Sequence, residues 1–144
     1  MDEERVKKLI RELIIEIGED PTREGLTKTP ERVARAYKEI FGGYDAKSNL
    51  SVQFSEDSET VVIRDIQFYS VCEHHMLPFF GKVQIVYSPN GRVFGISKLV
   101  RLVEKYSKRL QIQERMTKNI ADELFSHGVK GVAVIAKAEH LCMK

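Results

Sequence analysis

Cys72-Glu-His-His75 and His140-Leu-Cys142 hold both cysteines of this chain and three of its four histidines, His127 being the other. A thiolate and an imidazole three residues apart, joined by a second thiolate, offer three ligands of the kind zinc favours. A catalytic zinc site keeps its fourth position for water. His74 and His140 would then stand beside the metal as spare imidazoles. That is a hydrolytic arrangement, in which the metal acidifies water and the imidazoles move protons. Two plainer readings stay open on spacing alone. Free cysteines are often simply buried thiols. A Cys72–Cys142 disulfide is possible by count, although the charged N-terminus and the lack of a signal-like apolar stretch argue against an oxidising compartment.

A second set of residues could bind anions. Lys98, Arg101, Lys105 and Lys108 recur every three to four residues and share one helix face. Ser97 starts that helix, where free backbone N–H groups and the helix dipole favour negative charge. Together they could hold a polyphosphate. A solvated charged face is the usual meaning of such a run, and Lys105 and Lys108 fit that meaning best. Gln113-Glu114 opens the next helix. Glu114 could complement the helix dipole there; equally, a carboxylate can accept two N–H bonds from a guanine edge.

These groups need elements to position them. Val6, Leu9, Ile10, Leu13, Ile14 and Ile17 recur at helical spacing up to Gly18, giving a first helix of about four turns. Thr29-Pro30 reads as an N-cap and first helical proline. Val33, Ala34, Tyr37, Ile40 and Phe41 form the apolar face of that helix, which Gly42-Gly43 ends. Residues 44–58 lack a period and read as loop. Strands are expected over 60–68, 82–87 and 129–138, with a turn at Ser88-Pro-Asn-Gly91. Helices are expected over 97–110 and 113–127. The latter carries Met116, Ile120, Leu124 and Phe125 on its apolar face, with Gly128 as its cap. The order implies an α+β domain, an antiparallel sheet with helices on one face. Residues 1–43 form a helical region ahead of a domain over 44–144. The metal segments then fall between the first two strands and at the end of the third.

At 144 residues, 42% hydrophobic and 31% charged, the chain is long enough for a core and ordinary for a globular protein. A net charge of +2 gives no case for nucleic-acid binding. No apolar run is long enough to span a bilayer. A cytoplasmic location is expected.

Five ordered stretches resemble the GTP cyclohydrolase I family. They are residues 18–33 (GEDPTREGLTKTPERV), 70–81 (SVCEHHMLPFFG), 95–101 (GISKLVR), 109–117 (RLQIQERMT) and 139–143 (EHLCM). The resemblance implies a tunnel fold, whose subunits each supply four strands to a closed barrel, two five-fold rings stacking into a decamer. It implies Cys72, His75 and Cys142 as Zn2+ ligands, and His74 and His140 as active-site histidines. Ser97, Lys98 and Arg101 correspond to residues at the ribose and triphosphate of GTP, and Glu114, with Gln113 beside it, to the carboxylate that anchors guanine. The implied reaction is hydrolytic opening of the guanine ring at C8, release of formate and re-closure to 7,8-dihydroneopterin triphosphate, the first step of tetrahydrofolate and pterin biosynthesis. The resemblance also implies an active site between subunits. The family's second metal segment continues into an Arg-Gly pair, a further strand and a terminal helix; this sequence stops at Lys144, so that segment is expected to be lacking. The alternative reading is a catalytically impaired zinc-binding oligomer of the same fold that binds nucleotide or a partner. Another tunnel-fold activity on a pterin or deazapurine fits Glu114, Lys98 and Arg101 less well. The H-x-E and P-C-x-x-C pair of zinc deaminases is absent.

Overall fold

Two helices open the chain, α1 (Glu3–Glu16) and α2 (Thr29–Ile40). The computed structural model describes residues 1–47, 50–51, 53–56 and 58–144, which form two compact units, Met1–Gly42 and Gly43–Lys144. In the first unit α1 packs on α2. Asp2 caps α1 by accepting from the Arg5 N–H at 3.0 Å, and Gly18 follows its end at φ 88°, the left-handed stop expected there. The apolar stripe on α1 divides: Ile14 is buried, whereas Leu9, Leu13 and Ile17 are left uncovered by α2. Thr29 is the first helical residue rather than the cap, which is Lys28 and makes no side-chain bond.

The second unit contains β1 (Gln53–Ser55), β2 (Val61–Cys72), β3 (Pro78–Ser88), β4 (Arg92–Phe94), α3 (Ile96–Ser107), β5 (Leu110–Gln111), α4 (Gln113–Ser126) and β6 (Gly131–His140). Three strands were expected; the described residues hold six. The stretch read as loop over 44–58 contributes β1, which pairs with β4 in a small antiparallel sheet. The main sheet has the order β5-β2-β3-β6. β2, β3 and β6 are antiparallel, but β5 adds to β2 in parallel, so the sheet is mixed rather than purely antiparallel. The three long strands run well past their apolar alternation. β2 continues to Cys72, β3 begins at Pro78 and β6 continues to His140, because ladder bonding carries polar residues along once the register is set.

Both helices pack on one side of this sheet. Leu99, Leu102 and Val103 of α3 and Met116, Ile120 and Leu124 of α4 join Ile66, Phe68, Phe79, Val83, Ile85 and Tyr87 in a single core. Residues 116, 120 and 124 lie one turn apart on a single stripe. Phe125, also expected inside, falls off that stripe and is exposed. Fully burying each such side chain stabilises by about 1.5–3 kcal/mol, so this core fixes the strand ends that carry the chemistry. No helix among the described residues is long and apolar enough to cross a membrane.

Candidate metal and active site

The site grows from the end of β2. Cys72 is its last residue, and the chain reverses at once: the Cys72 N–H donates to the Leu77 carbonyl and the Met76 N–H to the Cys72 carbonyl, both at 2.8 Å. Met76 sits at φ 55°, a region that non-glycine residues enter at some cost. This tight turn projects His75 back over Cys72, with Nδ1 3.8 Å from Sγ. From the other edge of β3, β6 ends at His140 and the 3-10 turn Leu141–Met143 brings in Cys142. One ligand atom from each of Cys72, His75 and Cys142 lies within 4.8 Å of the other two. A tetrahedral zinc with its usual bond lengths would set sulfur and nitrogen about 3.6 Å apart. The donor set of two thiols and an imidazole is one that soft, tetrahedral metals favour, so this group could hold such an ion.

Electrostatics divide the two cysteines. A hydrogen bond from His75, then backbone N–H groups of His74 and His75, hold the buried Cys72 thiol below its ordinary range. Burial, then the neighbouring Cys72, push the Cys142 thiol up.

Around this trio stand residues from three more segments. Glu73 donates its N–H to the Gln111 carbonyl of β5 at 3.1 Å. Its carboxylate takes two bonds from Arg115 of α4, at 2.5 and 3.0 Å, which hold the Glu73 carboxyl below the usual range. His74 is exposed, its Nε2 4.0 Å from Glu73. His140 is half-buried, stacked flat on Phe79 with centroids 4.6 Å apart and planes 6° from parallel, and its Nε2 lies 2.9 Å from Gln113 Oε1. Glu114, next on α4, is exposed in the first turn of a helix with no side-chain cap.

The anion-binding candidates are elsewhere in the chain. Ser97 and Lys98 lie in the first turn of α3, which follows Gly95 and has no side-chain cap bond. The C-terminal end of α3 leads into β5 beside Cys72, which leaves Lys98 roughly 14 Å up the helix from Ser107 at 1.5 Å per residue. Phe94, just before α3, donates its N–H to the Tyr87 hydroxyl, and Tyr87 is roughly 30 Å along β3 from Pro78 at strand rise. So Cys72, His75 and Cys142 converge, with His140 and Gln113 paired beside them, while Ser97 and Lys98 begin α3, whose other end leads into β5 beside Cys72. The basic run itself divides. Lys105 donates to Glu123 at 2.8 Å, and Glu123 also accepts from Tyr106. That bond and burial push Tyr106 up to about 12, burial being the larger cause.

No local residue pattern announces the Phe79 stack, the Glu73–Arg115 pair or the Ala136 carbonyl that holds Gln113 at 3.0 Å. Each joins residues from separate elements, and only the folded sheet sets them side by side.

Fold and site together define an α+β protein with a two-cysteine, one-histidine group fit for a metal, flanked by further imidazoles. The GTP cyclohydrolase I family model matches residues 6–144. The chain is 52% identical over 147 residues to GTP cyclohydrolase 1 of Clostridium kluyveri, covering 99% of this chain and 80% of that one. It is 51% identical to the protein of that name from Hyperthermus butylicus, covering 99% and 74%. For Corynebacterium glutamicum the identity is 53%, covering 99% and 76%. The chain therefore belongs to the GTP cyclohydrolase I family. Among solved structures, an archaeosine synthase QueF-like protein in its apo form aligns with a TM-score of 0.50 at 18% identity, over 59% of this chain and 95% of that one. That likeness is of fold alone.

Proposed function

We propose that this chain opens the guanine ring of GTP by hydrolysis, releases formate and re-closes the product to 7,8-dihydroneopterin triphosphate, with residues 44–144 carrying the chemistry. The observation that carries this reading is the convergence of Cys72, His75 and Cys142 beside His140, in a member of the GTP cyclohydrolase I family. Cys72, His75 and Cys142 would hold Zn2+, which supplies Lewis-acid polarisation and water of lowered pKa. His74, exposed next to a metal ligand, is free to hand a proton to the imidazole nitrogen of the purine as the ring opens. His140 serves the later proton transfers. Glu114 accepts from the N1–H and 2-amino group of guanine, a pairing adenine cannot make. The uncapped first turn of α3, with Ser97, Lys98 and Arg101, takes the ribose and triphosphate through charge-assisted bonds.

In one copy Ser97 and Lys98 start α3 at the end away from β5 and Cys72. We therefore place the complete pocket between copies, the metal end of one facing α3 of another. A tunnel-fold decamer of two pentamers provides such junctions. A cytoplasmic enzyme fits this role.

Incubation of the purified chain with zinc and GTP tests the reading. The expected result is stoichiometric formate and a product that fluoresces as a pterin after oxidation, both abolished by Cys72→Ala. Bound zinc with no formate would instead favour a non-catalytic zinc-stabilised oligomer.

A further inference from the structure

Gln113 is the first residue of α4, and both ends of its side-chain amide are engaged. Nε2 lies 3.0 Å from the Ala136 carbonyl of β6, and Oε1 lies 2.9 Å from His140 Nε2. The chemistry of these partners fixes which way the amide lies and puts a proton on His140 Nε2. A backbone carbonyl only accepts, so the amide end facing Ala136 must be the NH2 group. The other end is then the oxygen, which also only accepts. His140 must therefore donate from Nε2. A neutral imidazole carries one N–H, so Nδ1 is left bare. Among the described residues Nδ1 has no hydrogen-bond partner. Phe79, stacked 4.6 Å away, holds the ring plane while Gln113 holds its rotation, since a flipped ring would set a C–H against the amide oxygen.

We infer that Gln113 is a positioning residue that fixes His140 as the Nε2–H tautomer, so that Nδ1 is the ring nitrogen left to accept a hydrogen bond from the substrate. The inference rests on the proposed GTP chemistry for His140's role, but the tautomer itself does not. It also changes the part expected of Gln113 from its place beside Glu114. Its acceptor is spent on His140 and one N–H on Ala136, so guanine recognition at this point falls to Glu114. In general, a hydrogen-bond partner behind a working histidine sets which nitrogen faces the chemistry.

The test is magic-angle-spinning 15N NMR on zinc-loaded protein labelled at histidine nitrogens. At about pH 8.5 a free imidazole is neutral, and His140 is assigned by the signal lost in His140→Asn. The expected wild-type spectrum shows His140 protonated at Nε2 and bare at Nδ1. Gln113→Glu keeps an acceptor for His140 but loses the donor to Ala136, so Nε2 stays protonated. Gln113→Met, which has none, gives a mixture of tautomers and lowers kcat by about 10–100-fold while leaving the KM for GTP within about threefold. An Nδ1–H form in the wild type overturns the inference whether or not any variant folds. So does an unchanged His140 spectrum in Gln113→Met, or a KM raised about tenfold or more at unchanged kcat, which would return Gln113 to the substrate. Failure of the wild type to release formate would sink the GTP reading, while the spectrum would still decide the tautomer.

Discussion

The two ends of the second unit are prepared differently. At one end, three ligand atoms from two distant segments lie within 4.8 Å, held by a hydrogen-bonded reverse turn, a bidentate Glu73–Arg115 pair and a stacked, hydrogen-bonded histidine. At the other, exposed Ser97 and half-buried Lys98 lie in the first turn of α3, which has no side-chain cap, and exposed Arg101 follows a turn later. The contrast matches what each would bind. A metal needs its ligands fixed to fractions of an ångström, and second-layer bonds supply that fixity. A triphosphate is flexible and highly charged, so exposed cations and free helix N–H groups serve it well.

The widest expected gap between the ends comes from Cys142→Ala. It removes a proposed metal ligand, so bound zinc should fall far below one per chain and GTP turnover drop by at least about 1,000-fold. His74→Ala separates ligand from proton carrier: zinc stays, and kcat falls by about 100–10,000-fold. Zinc lost in that variant would mean His74, not His75, ligates. At the other end, Arg101→Met should raise the KM for GTP by about 10–100-fold, the worth of a charge-assisted bond, with zinc content and His140 spectrum unaltered. A kcat effect without a KM effect would remove Arg101 from the triphosphate.

Only the metal end should respond strongly to pH through its own thiols. The Cys142 thiol is pushed up by burial and by Cys72, so it is protonated at neutral pH and a metal must displace that proton. Affinity then weakens as pH falls and strengthens as it rises, about tenfold per pH unit for each proton displaced, until pH passes the raised Cys142 value. Calorimetric zinc titrations in buffers of different ionisation enthalpy count those protons; none released at neutral pH would contradict the assignment. The smallest effect belongs to Glu73→Gln. The pair it breaks is partly exposed, and such pairs contribute little. Zinc dissociation should quicken by up to about fivefold, with KM unchanged.

Much of this contrast was legible in the residues. The cysteine and histidine spacing singled out the two segments that converge on Cys72, His75 and Cys142, and three- to four-residue spacing in α3 and α4 marked their buried faces. What stayed hidden depends on long-range partners. β1, β4 and β5 are two or three residues long, too short to carry a period, and exist because a neighbouring strand completes their bonds. The extra length of β2, β3 and β6 comes from ladder pairing through polar residues. Gln113 and His140 each lay in a segment singled out from the sequence, yet they are 27 positions apart, and no local pattern announces that one holds the other. The place of Lys98 at the start of α3, the end away from β5 and Cys72, likewise follows from the direction of that helix.

Mixing two inactive chains measures most directly whether the two ends serve one pocket between copies. One chain carries Cys142→Ala, the other Lys98→Met with Arg101→Met, and the two are co-expressed in equal amounts and assayed for formate from GTP. Half the metal ends and half the α3 starts are then intact, so a pocket shared between copies regains about a quarter of wild-type turnover. A mixture no more active than the sum of its separate parts, beside an active wild type, would mean that each chain builds its pocket alone and that the two ends do not meet across copies.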